Sequence, residues 1–230
     1  MRALNAVLGA REAAAADAAT IARRVPARAL MQRAGAAAAA EIARRYPRRL
    51  RDGVLLLAGG GNNGGDAWVV ARALAAAGVR CRVHEVVPAR TDDARAEREL
   101  ALPLVECTAD GDGTTFPVGT RLLIDGLLGT GASGAPRGAV ADAIAHAARL
   151  RAGGAAVVAL DVPSGLDATT GAAEGALVAD LTLTFGALKR GLLVARAHAG
   201  RIVLLDIGLV AGEGGDDAPP PRLVDGWWVR

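Results

Sequence analysis

The sequence predicts an α/β fold in which a mostly parallel sheet carries helices on both faces, and three observations predict it. Short apolar runs recur along the chain, helix-length segments separate them, and polar or glycine-rich loops follow the apolar runs. A length of 230 residues fits one such domain. The domain is placed at residues 1–210, and residues 211–230, rich in glycine, aspartate and proline, form a linker or tail.

In chain order, residues 11–25 and 28–46 read as two helices separated by Pro26. In the second, Leu30, Met31, Ala34, Ala37, Ala38, Ile42 and Ala43 fall close to helical spacing. Residues 54–58 are uniformly apolar, as a strand buried on both faces requires. Residues 66–77 follow as a helix with Val69, Val70, Ala73, Ala76 and Ala77 at helical spacing. Residues 80–87 alternate as a second strand, and the charged segment 92–101 forms a helix. A third strand spans 121–128, a helix 138–150, a fourth strand 155–162, and two further strands 181–185 and 202–206.

Composition narrows the function classes. Aromatic residues make up only 3% of the chain, too few for a stacking platform for single-stranded nucleic acid. The net charge is +3, and the arginine clusters Arg44-Arg45 and Arg48-Arg49-Arg51 read as solvated helix ends rather than a nucleic-acid patch. Cys81 and Cys107 make neither a disulfide framework nor a zinc site, which suggests a reducing, cytoplasmic setting. Charged residues interrupt the alanine-rich first 25 residues, so no signal-peptide core is expected there. No apolar run reaches the ~18 residues of a membrane span.

Residues 59–66, Gly-Gly-Gly-Asn-Asn-Gly-Gly-Asp, lie between strand and helix, where free backbone N–H groups attract phosphate. Gly59, Gly61 and Gly64 also satisfy G-x-G-x-x-G. Asp66 is unexpected in a phosphate loop; a bound cation, a helix end it caps, or a polar substrate group would account for it. Gly129-Thr130-Gly131-Ala132-Ser133-Gly134 makes a second glycine-rich loop. Two such loops beside carboxylates point to a large phosphorylated ligand such as a dinucleotide.

Asn62, Asn63 and Asp66 follow the first strand, Asp125 the third, and Asp161, Ser164 and Asp167 the fourth. In a doubly wound sheet these loops meet in one crevice at the carboxyl ends of the strands. Its donors are almost all oxygens, which suits a hard cation rather than zinc; few carboxylates among neutral oxygens favour a monovalent ion. His84, His146 and His198 lie away from the loops and read as structural or solvated.

Four segments carry a family resemblance: residues 59–66, 124–131 (Ile-Asp-Gly-Leu-Leu-Gly-Thr-Gly), 159–167 (Ala-Leu-Asp-Val-Pro-Ser-Gly-Leu-Asp) and 182–189 (Thr-Leu-Thr-Phe-Gly-Ala-Leu-Lys). Residues 30–35 add a weaker fifth. By these the chain resembles the NAD(P)H-hydrate epimerase family, the YjeF N-terminal domain. The resemblance implies a Rossmann-like three-layer αβα sandwich, a homodimer, and interconversion of (R)- and (S)-NADHX or NADPHX at C6 of the hydrated nicotinamide ring. It implies as partner an ADP/ATP-dependent dehydratase, separate or fused, that restores the cofactor. It implies K+ held by Asn63, Asp125 and Ser164, and substrate contacts at Asn62, Asn63, Gly64, Gly65, Asp66, Gly129, Thr130, Gly131, Ala132, Ser133, Gly134, Ala135 and Asp161. Ala67 stands where the family usually has glycine; in an early helix position this is expected to matter little.

Inversion at C6, a hemiaminal carbon, needs a planar intermediate. Loss of hydroxide with push from N1 gives an iminium that water re-enters from either face. One carboxyl group suffices as acid/base; Asp125 is the first candidate and Asp161 the second. Two other classes compete. A nicotinamide-dependent oxidoreductase is favoured by the glycine pattern and by Glu85 near the end of the second strand, but lacks a plausible hydride partner. A non-catalytic binding protein is less economical with Asn63, Asp125 and Ser164 intact.

Overall fold

A computed structural model of the chain describes residues 7–109 and 119–209; the expected tail at 211–230 lies outside the described residues. The elements run β1 (Val7–Leu8), α1 (Ala10–Ala22), α2 (Ala27–Arg45), β2 (Val54–Ala58), α3 (Asn62–Ala76), β3 (Cys81–Glu85), α4 (Asp92–Ala101), β4 (Glu106–Ala109) and β5 (Leu122–Gly126). They continue with α5 (Gly138–Ala152), β6 (Ala156–Leu160), β7 (Leu181–Phe185), β8 (Leu188–Lys189), α6 (Arg190–Val194), α7 (Arg196–Ala199) and β9 (Arg201–Leu205).

Among the described residues, seven strands form one parallel sheet in the order β4-β3-β2-β5-β6-β7-β9. The chain winds outward from β2 to β4, returns to β5 on the other side of β2, and winds outward again. The reversal between β2 and β5 is the switch point at which open α/β sheets bind ligands.

Alternation along β2 separates the two faces. Leu56 and Ala58 join α2 and α3 in one core through Ile42, Trp68, Val70 and Leu74. Leu55 and Leu57 face the opposite side and join Ala143, Ile144 and Ala147 of α5. Two apolar clusters on two faces of one sheet make the three-layer αβα sandwich that the family resemblance implies. β1 pairs in parallel with β8, and a third cluster around Leu188, Leu192 and Ile202 supports that corner.

Three differences from the sequence reading have physical causes. α3 begins at Asn62 rather than at 66, with Gly61 as its N-cap in extended backbone. The asparagines and glycines read as loop because they are poor helix formers, yet close packing demands glycine there. A Cβ on Gly64 would stand 1.8 Å from the Gly59 carbonyl oxygen, and one on Gly65 2.5 Å from Met31. β4, Glu-Cys-Thr-Ala, was not expected because an edge strand of this composition lacks an apolar pattern. β1, β8, α6 and α7 are too short for periodicity to show.

Three of the clustered arginines bind the chain's own acceptors. Arg44 and Arg45 both engage Glu41, and Arg49 donates to the carbonyls of Arg121 and Gly154. Among the described residues no helix is long and apolar enough to cross a membrane.

Candidate active site

A cavity of about 920 Å³ opens at the carboxyl ends of β2 and β5, where the chain reverses. Gly60, Gly61, Asn62 and Asn63 from the start of α3 line it, facing Gly129, Thr130, Gly131 and Ala132 after β5. Asp17 and Ile21 of α1, Leu30 and Met31 of α2, and Asp66, Asp161 and Lys189 complete much of the wall. Gly64 and Gly65 do not line it; they let α3 approach the loop after β2 and helix α2. Ser133, Gly134 and Ala135 lie outside the lining, as do Asp125 and Ser164.

Asp125 and Ser164 form a buried unit behind the wall, both with 0% exposure. One Asp125 oxygen accepts from the Ser164 hydroxyl at 2.6 Å and from the Leu127 N–H at 3.2 Å; the other accepts from the Ser164 N–H at 2.8 Å. Burial pushes the Asp125 carboxyl above its ordinary range, and these three bonds only partly oppose that. No cationic side chain among the described residues compensates it.

Asn63 lines the cavity and is tied to the loop after β5. Its amide nitrogen donates to the Leu128 carbonyl at 2.9 Å, which fixes the orientation of the group. That leaves Asn63 Oδ1 buried and without a hydrogen-bond partner. A buried carboxylate with no cation beside it and an orphaned amide oxygen in the first turn of α3 fit a monovalent cation. Among the described residues no three His, Cys, Asp or Glu side chains group as a transition-metal site would.

Asp161 is presented differently. It follows β6 with φ of 64°, a conformation that aspartate tolerates better than most residues and that costs of order 1–3 kcal/mol. The turn directs its carboxylate into the cavity, where Lys189 Nζ lies 2.5 Å away. Lys189 is 3% exposed and also donates to the Phe185 carbonyl at 2.7 Å. The lysine ends the fourth family segment, but nothing in its spacing shows that it meets Asp161; the pairing of β6 with β7 and the turn from β7 to β8 bring them together around Phe185.

Asp66 sits in the second turn of α3, 9% exposed, and does not cap the helix. It accepts no hydrogen bond from a described residue. Burial pushes its carboxyl well above the ordinary range, Asp161 and Asp17 add to that, and Lys189 opposes it. Asp17, on α1, carries no motif that sequence reading could have found.

Glu85 does not serve as a ribose acceptor. It is 4% exposed and occupied by Arg98 at 2.7 Å and by the Ala89 N–H. Asp167 turns away to hold the N–H groups of Thr169 and Thr170. The ring nitrogen of His84 pairs with Thr108 on the edge strand, and no histidine lines the cavity.

Residues 27–191 match the family described as YjeF-related protein N-terminus. The "NAD(P)H-hydrate epimerase" of Clavibacter sepedonicus is 39% identical over 68% of this chain and 72% of its own. The "Bifunctional NAD(P)H-hydrate repair enzyme Nnr" of Escherichia coli K12 is 41% identical over 63% of this chain and 28% of its own. A bifunctional repair enzyme of Leishmania major is 42% identical over 67% of this chain and 29% of its own, so the aligned segment spans under a third of either bifunctional relative. The crystal structure of the yeast protein ynu0 superposes with a TM-score of 0.73 over 94% of this chain and 99% of that one; at 20% identity the likeness concerns the fold. With the motifs, the sheet order and these matches in agreement, the chain belongs to the YjeF-related protein N-terminus family.

Proposed function

We propose that the chain epimerises NADHX and NADPHX at C6 of the hydrated nicotinamide ring, so that a dehydratase specific for one epimer can restore the cofactor. The observation that carries the reading is the cavity itself. It joins a helix N-terminus and a second glycine loop, suited to a pyrophosphate, to a group of carboxylates suited to proton transfer. Relatives named as bifunctional NAD(P)H-hydrate repair enzymes support a second repair activity as partner, which the reading takes to be the dehydratase.

K+ belongs to this proposal, held by Asn63 Oδ1, Asp125 and Ser164. When bound, the ion would supply the positive charge the Asp125 carboxylate lacks and hold the loops after β2, β5 and β6 in one arrangement. Asp125 is thereby assigned to the cradle, because it does not reach the cavity, and Asp161 to the substrate. The homodimer and the cytoplasmic setting are carried as parts of the same proposal; the free thiols of Cys81 and Cys107 are compatible with it.

The chemistry needs little from the protein. N1 pushes hydroxide from C6, the ring flattens at that carbon, and water returns to either face. Asp161, kept in place by Lys189, accepts the proton of the incoming water. The test is incubation of (R)-NADHX with the protein and chromatographic resolution of the epimers. Formation of the S epimer faster than in enzyme-free buffer supports the reading, and equal rates reject it.

A further inference from the structure

The mechanism above names a base for the incoming water and no acid for the departing hydroxyl. Hydroxide is a poor leaving group, so a proton donor facing the ring accelerates its loss. Four ionisable side chains from four parts of the chain converge on one region of the cavity: Asp17 of α1, Asp66 of α3, Asp161 after β6 and Lys189 of β8. Asp161 and Lys189 are committed to each other as an ion pair. Asp17 is exposed at the cavity. Asp66 is buried, accepts no hydrogen bond from a described residue, and lines the cavity.

We propose that Asp66 is the general acid of the epimerisation, protonating the C6 hydroxyl as it leaves, while the Asp161–Lys189 pair acts on the returning water. The inference rests on the epimerase reading and adds to it a catalytic residue. The proton moves from the Asp66 carboxyl to the C6 oxygen. The C–O bond breaks with its electron pair on oxygen and releases water, and the N1 lone pair forms the C6–N1 double bond. Water then adds to the other face of C6, the N1 pair returns to nitrogen, and the surplus proton passes to a carboxylate. Composition is unchanged and only the configuration at C6 is inverted.

The surroundings suit a carboxyl that keeps its proton well above the ordinary carboxylate range. Burial raises its pKa, and the charged groups that bear on it are Asp161 and Asp17, which raise it further, and Lys189, which opposes. Leu30, Met31 and Ala34 of α2 line the cavity without a titratable group. One carboxylate paired with a lysine beside another that is buried without a described partner is the division of labour that one-carboxyl schemes lack. Lys189 is a positioning residue in this account.

The experiment measures initial rates of (R)- to (S)-NADHX conversion across pH for the parent, Asp66→Asn, Asp17→Asn and Lys189→Met. Each rate is corrected with enzyme-free controls at the same pH. The parent should lose turnover as pH rises through the Asp66 titration. Asp66→Asn should lose roughly 10²–10⁴-fold in kcat, the usual worth of a positioned acid, and lose that alkaline limb while still binding the hydrate by calorimetry. Lys189→Met should move the limb to higher pH and Asp17→Asn to lower pH, shifts that a purely structural role would not produce. If Asp66→Asn fails to fold, the opposed shifts carry the test alone. A parent that does not accelerate epimerisation overturns both this assignment and the function. A parent that does, with Asp66→Asn turning over comparably or with a limb that neither substitution moves, overturns Asp66 and leaves the epimerase standing.

Discussion

Ser164 grips both oxygens of Asp125, its hydroxyl donating to one at 2.6 Å and its backbone N–H to the other at 2.8 Å. The same hydroxyl accepts from the Leu128 N–H at 2.9 Å, so one side chain ties the loop after β6 to the loop after β5. Ser164→Ala removes a bond to a buried carboxyl and leaves the Leu128 N–H without its acceptor. The variant should lose about 1.5–3 kcal/mol of stability by urea denaturation.

A cation in that cradle binds the folded chain and not the unfolded one, so potassium should raise the melting temperature by mass action. The gain is about 2.7 kcal/mol when the ion is at 100 times its dissociation constant. Differential scanning fluorimetry in potassium against tetramethylammonium chloride at equal ionic strength checks this. Asn63→Ala, which deletes the orphaned oxygen, should abolish the difference.

Two glycines of the 59–66 segment should respond differently to alanine. At Gly64 a Cβ would stand 1.8 Å from the Gly59 carbonyl oxygen, and backbone must move. Overpacking of that kind costs about 1–3 kcal/mol or more. At Gly61 the backbone has φ of −98°, open to any residue, and nothing lies within 4 Å. Gly61→Ala should melt with the parent, whatever it does to binding.

The buried carboxyls set opposite slopes of stability with pH. Asp66 has a raised folded-state pKa. The folded chain therefore holds its proton more tightly than the unfolded one, and that stabilisation is full below the ordinary carboxylate range. It is lost as pH rises through the raised value. Asp66→Asn should flatten the decline in melting temperature on the alkaline side of that range.

Glu97 has the other sign. Burial pushes its pKa up, but hydrogen bonds from Arg28, Gln32 and Arg72 outweigh that and leave it lowered. Its stabilisation is present above the ordinary range and is lost as pH falls through the lowered value. The side chain is 0% exposed and clamps α2, α3 and α4. Glu97→Ala leaves Arg28 and Arg72, 37% and 33% exposed, without their shared acceptor, and should cost about 1–3 kcal/mol at neutral pH.

Much of the fold was legible in the sequence because the central strands are buried on both faces and so uniformly apolar. β2 and β7 coincide with the expected spans, and β5 and β6 lie inside theirs. The site was legible where chemistry is written as a local motif, as in Asn62-Asn63 or Gly129-Thr130-Gly131. It was not legible where tertiary structure makes it. Lys189 reaches Asp161 only through the left-handed turn at Asp161, the β6–β7 pairing and the turn that follows β7, and Asp17 enters from a helix of alanines. That Asp125 lies behind the wall and Asp66 within it depends on where α3 begins. The run of glycines concealed that start, because it reads as loop while serving as packing space.

The most direct measurement is chiral chromatography of (R)-NADHX incubated with the protein in potassium buffer, against enzyme-free buffer and against Asp161→Asn. The account predicts rapid approach to an R/S mixture with the parent, and a rate near that of buffer with the variant. An R epimer that survives the parent protein as long as it survives buffer would contradict the account at its centre.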